Sequence, residues 1–72
     1  MEARDEQLII SLVDRDPELK RLHDEHVQLE KQLAQLNHKA FLNADEEVER
    51  KRLQKIKLAG KDRMMEILNR YR

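Results

Sequence analysis

Between Leu19 and Leu36 the chain reads LKRLHDEHVQLEKQLAQL, with leucines at 19, 22, 29, 33 and 36. Steps of three, four and seven residues return a side chain to one side of an α-helix, so this spacing is a helical seam. Where its rhythm demands a further apolar residue, His26 stands instead. A seam must be covered, and a second stripe lies beyond the polar link from Asn37 to Asp45. There Leu53, Ile56, Gly60, Met64, Ile67 and Tyr71 fall on one side of a helix, broadened by Leu68. Two long helices joined by a short polar link are expected to fold back as an antiparallel hairpin.

The punctuation agrees. In DRDPEL, Asp16 can accept the free N–H groups of a new helix, Pro17 fits its first turn, and Glu18 suits its positive end. A helix is predicted from about 17 to 39, roughly 35 Å long at 1.5 Å per residue. Asn43 or Asp45 can cap the next one, and Asn43 has Glu46 at capping-box spacing. That helix is predicted over about 45–70. Glu46–Arg50, Glu47–Lys51 and Glu66–Arg70 are spaced to pair across its turns. Ahead of both, DEQLIISLV places Leu8, Leu12 and Ile9 on one helical side, widened by Ile10 and Val13, and predicts a short helix over about 5–13. With only one Gly, one Pro and two aromatics, Phe41 and Tyr71, the composition favours helices over sheets. The expected fold is all-α: a short N-terminal helix and a long, coiled-coil-like hairpin forming a single domain over residues 1–72.

If the turn centres near residue 41, Leu33 and Leu36 face Val48, and Leu29 lies near Leu53. His26 then lies near Ile56 and Gly60, and Leu19 and Leu22 near Met64 and Ile67. Gly60 would let a backbone or a bulky group come close. The short first helix would cover Ile67, Leu68 and Tyr71.

The same positions carry a resemblance. DPEL followed by Leu22, His26 and Leu29, then Asp45, then KLAGKD at 57–62, is similar to the YdcH-like family of small bacterial proteins of unknown function. The likeness covers roughly residues 6–68 and also takes in Leu8, Leu53 and Leu58, whereas Gly60 stands where that family more usually has an apolar residue. It implies a helical hairpin with a short leading helix, and it implies no catalytic or ligand site.

Chemistry is expected to be absent. There is no cysteine, which removes disulfides, thiolate nucleophiles and cysteine metal sites. His23, His26 and Glu30 approach a helical metal arrangement but need further ligands, so no metal and no cofactor is expected. The carboxylates at Asp24, Glu25, Glu46, Glu47 and Glu49 lie on polar helix surfaces, where nothing would shift a pKa for acid–base work. Ser11 has no partner that would make it a nucleophile, and no glycine-rich phosphate loop occurs. The chain reads as no enzyme. MEARDEQ is not a signal peptide and LIISLV is too short to cross a bilayer, so a cytoplasmic protein without integral membrane association is expected.

The expected function is therefore a small protein-interaction or adaptor module that associates with itself and with an unidentified protein. Leu22, His26 and Leu29 would act in the seam, and Leu8, Leu12, Leu58, Met65 and Leu68 would join chains or dock the partner. A half-buried His26 would let its charge tune that association near neutral pH. The alternative is a nucleic-acid-associated regulator. Residues 1–36 carry nine acids and five bases, a net of −4, and residues 37–72 carry six acids and ten bases, a net of +4. The positive half concentrates in RKRLQKIKLAGKDR, with Arg50, Lys51, Arg52, Lys55, Lys57, Lys61 and Arg63 as candidate phosphate contacts.

Overall fold

A computed structural model describes residues 2–72 and contains three α-helices: α1 (Ala3–Leu12), α2 (Pro17–Asn37) and α3 (Ala44–Tyr71). The fold is all-α, and α2 and α3 form the antiparallel hairpin, with α1 against both. Residue 1 of the expected 1–72 unit lies outside the described residues.

Each boundary has a local cause. Past α1, the N–H groups of Arg15 and Asp16 both turn back to the Leu12 carbonyl, at 2.9 and 3.0 Å. Asp16 then caps α2, its carboxylate accepting from the Leu19 N–H at 3.1 Å, with Pro17 in the first turn. α2 stops at Asn37, two residues before the sequence estimate, because the N–H groups of His38 and Lys39 fold onto the last free carbonyls, those of Ala34 and Leu36. Asn43 rather than Asp45 caps α3. Its side chain accepts from the Glu46 N–H at 2.8 Å while the Glu46 carboxylate accepts from the Asn43 N–H at 3.2 Å, a complete capping box.

The main core lies at the pole away from the link. Ile9 and Leu12 of α1, Leu19 and Leu22 of α2, and Met64, Ile67 and Leu68 of α3 form one buried cluster, with Leu8, Val13 and Met65 packed at its edge. Nearer the link only Leu33 and Leu53 are buried. The helices are also linked by polar contacts. The Tyr71 hydroxyl donates to Asp16 at 2.8 Å, and Arg63 donates to Glu18 at 2.7 Å. The Leu19 N–H, then the Tyr71 hydroxyl, hold the Asp16 carboxyl below its ordinary pKa, and the same bond raises that of Tyr71. Lys39 meets Glu46 across the link, and Arg72 meets Asp5 at the opposite pole.

Four expectations are corrected. Val48 does not cover Leu33 and Leu36; it is 67% exposed. Ile56 sits at the edge of the seam and is 42% exposed. The cross-hairpin pairs bracket the expected turn, Glu18–Arg63 centring just before residue 41 and Glu30–Lys57 and Asp16–Tyr71 beyond it, so the hairpin closes where expected while Val48 and Ile56 fall at the margin of the buried face. None of the three i, i+4 pairs expected on α3 forms. Glu46 is drawn to its cap and to Lys39, Glu49 takes Arg52 at 2.6 Å, and Glu66 takes Arg63 at 2.9 Å. Gly60, finally, admits no close approach: a Cβ built there meets nothing within 4 Å, and its φ is not positive.

With open space and ordinary helical geometry, Gly60 carries the backbone-entropy cost of glycine and nothing in return within the chain. Gly60→Ala is expected to raise stability by about 1 kcal/mol, read as a higher urea midpoint with unchanged slope. A lower midpoint would mean that the position is crowded after all.

Candidate functional site

The expected interaction residues separate into two groups. Leu12, Leu22 and Leu68 are core, at 7%, 9% and 0% exposure, and cannot dock anything without unfolding the pole they hold together. The expected role of Leu12 and Leu68 in joining chains is corrected by the packing of α1 on α2 and α3, which takes both into one buried cluster. Leu8, Leu29 and Met65 are half-buried, and Leu58 is exposed. Leu8 and Met65, and Leu29 with Ile56, line the two open surfaces of the molecule; Leu58 lines neither.

The first surface is a groove of about 390 Å³ along the α2–α3 junction. Leu29 and Ile56 form its floor, with Gln28 and Gln32 beside them and Asp24 and Glu25 on the α2 rim. Glu25 and, on α3 next to Ile56, Lys55 enter no ion pair among the described residues.

His26 belongs to the opposite edge of the hairpin. Its side chain is 13% exposed, and Nε2 lies 3.1 Å from a Glu30 oxygen that is also 3.7 Å from Lys57 Nζ. His26 therefore stands beside a carboxylate of its own helix that is shared with the facing helix, its Nδ1 is buried without a hydrogen-bond partner among the described residues, and it is a polar member of the packing surface. His23 is half-buried and His38 exposed. Among the described residues, no group of three or more His, Asp or Glu is placed to hold a metal ion.

The basic segment is dispersed by its own helix. Arg52 is occupied by Glu49, and Arg63 by Glu66 and Glu18; these carboxylates raise the pKa of both guanidinium groups. Lys57 stands by Glu30. Arg50, half-buried, keeps its Nε enclosed. Lys51 and Lys55 are exposed, and Lys61 lies on another side, facing α1. The seven cations do not form one continuous face.

The second surface was not legible in the sequence. α1 leans on α3 so that Leu8 and Met65 form the floor of an open cleft of about 910 Å³. Arg4, Lys61 and Arg72 line it, against Glu2 and Asp5. A third feature was missed outright: Phe41, in the link, is 84% exposed at the other pole. A lone aromatic within a polar link was the available signal. No helix among the described residues is long and apolar enough to cross a membrane. No protein-family model matches this chain, and no curated protein or solved structure does.

Proposed function

We propose that this chain is a small, non-enzymatic interaction module of the cytoplasm that self-associates through an apolar helical face, and that the face is the Leu29–Ile56 groove. One observation carries the reading: Ile56 stays 42% exposed beside a half-buried Leu29, in a groove whose lining is mostly apolar. A contiguous apolar patch rimmed by polar side chains, rather than a scattered apolar residue, is what marks an association surface. A second copy related by a two-fold axis along the helices would lay its α2 over α3 of the first, giving a four-helix bundle. In that arrangement Glu25, unpaired on the α2 rim, faces the basic α3 of the other chain rather than a second acidic α2 rim, which favours this axis over the one that opposes α2 to α2. The proposal also places the chain with the YdcH-like family, on the order and spacing of DPEL, His26, Asp45 and KLAGKD.

Sedimentation equilibrium of the full chain is the test. The wild type is expected to reach dimer mass at micromolar concentration. Ile56→Glu is expected to weaken the dimer at least about ten-fold while circular dichroism stays unchanged, because a carboxylate would be buried at the centre of the contact. A wild-type chain that remains monomeric, or a dimer indifferent to Ile56→Glu, refutes the reading.

A further inference from the structure

The two poles of the molecule differ in a complementary way. At one end, Leu8 and Met65 floor the α1–α3 cleft, and its lining holds three cations against two carboxylates. Arg72 is already engaged by Asp5, whereas Arg4 and Lys61 enter no ion pair among the described residues. At the other end the link presents Phe41 to solvent, and the first turn of α3 beside it carries Asp45, Glu46 and Glu47. Glu46 is consumed by the capping box and Lys39, but Asp45 and Glu47 are exposed and unpaired. One pole is thus a polar-walled cleft with an apolar floor and, among the described residues, two unpaired cations against one unpaired carboxylate, Glu2; the other is an apolar knob with free negative charge at its base. The molecule is 43 Å long, so the knob cannot reach its own cleft.

We infer that the chain also associates head to tail: the Phe41 tip of one copy seats in the α1–α3 cleft of the next, against Leu8 and Met65, with Asp45 and Glu47 facing Lys61 and Arg4. The contact is heterologous, since each copy contributes a different patch at each end. It repeats until the rotation closes a ring or, if it does not close, it extends into a filament. It is small, one aromatic anchor with a charged rim, so it is weaker than the Leu29–Ile56 dimer and appears at higher concentration. Its surfaces share no residue with that groove, and either contact can exist without the other.

The test uses full-length chains in sedimentation velocity over a rising concentration series, with circular dichroism to confirm folding. The wild type is expected to grow beyond the dimer, and less so at high salt, where the charged rim is screened. In an Ile56→Glu chain the growth should persist in steps of one chain, which separates this contact from the face dimer. Two further variants are made in that Ile56→Glu background. Phe41→Ser removes the knob, and Lys61→Glu with Met65→Glu closes the cleft; each alone should stay monomeric. Mixed, they retain one working knob and one working cleft, and should form a 1:1 pair that grows no further. Should Met65→Glu fail to fold, Lys61→Glu by itself serves as the cleft variant. Growth that survives Phe41→Ser overturns the inference, as does a wild type that never exceeds dimer mass. Mixing two folded variants without pairing overturns it as well, and would leave the cleft to an acidic helix of a different protein.

Discussion

Ile67→Ala is expected to remove about half of this protein's folding stability. Ile67 is fully buried where all three helices meet, with Ile9, Leu12, Leu19, Leu22, Met64 and Leu68 in the same cluster. Truncating such a side chain removes its transfer free energy and leaves a cavity that the surroundings fill only in part, a loss of about 2–5 kcal/mol. A 72-residue chain at about 0.05–0.15 kcal/mol per residue has only about 4–11 kcal/mol in all. Urea unfolding followed by circular dichroism, at one fixed protein concentration so that self-association does not bias the comparison, should show a midpoint moved about halfway to zero denaturant. A change below about 1 kcal/mol would place the core elsewhere and remove the basis of the three-helix pole.

The second large effect separates two neighbouring isoleucines. Ile9 is fully buried and Ile10 is 61% exposed, one position further round α1. Ile9→Asp puts a carboxylate with no partner against Leu19, Leu22, Met64 and Leu68, which belongs to the class of substitutions that cost more than about 4 kcal/mol. α1 should come away, the Asp5–Arg72 contact with it, and limited proteolysis should cut between residues 3 and 16. Ile10→Asp carries the same chemistry onto an exposed surface and should stay within about 0.5 kcal/mol of the parent. Equal sensitivity of the two positions would mean that α1 does not dock through the Ile9 side.

The contrast explains what could be read from residues alone. The α2 seam was legible because its leucines repeat over five turns and a single face satisfies them all. The caps were legible because Asp16–Pro17 and Asn43–Glu46 act within four residues of chain. Ile56 and Val48 were not, because a hydrophobic period fixes the axis of a stripe but not its rotation against a neighbour. Two helices can meet at a rotation that leaves the margin of a stripe exposed. The ion pairs failed for a related reason: i, i+4 spacing offers an option, and Glu46 and Glu66 each had a competing partner in Lys39 and Arg63. The α1–α3 cleft was wholly outside reach, since it exists only once α1 has chosen the side of α3 that carries Lys61 and Met65.

The Asp5–Arg72 contact ties α1 to the end of α3 at one pole, while the other is closed by the link and the Lys39–Glu46 pair, and this gives the molecule a direction under load. Pulling on residues 5 and 72 would open the hairpin from its core end, breaking the Asp16–Tyr71 and Glu18–Arg63 contacts one after another like teeth of a zip. Pulling on residues 41 and 72 would instead load α3 along its own axis, against its backbone hydrogen bonds rather than its contacts with α1 and α2. One geometry therefore tests the packing between helices and the other the helix itself.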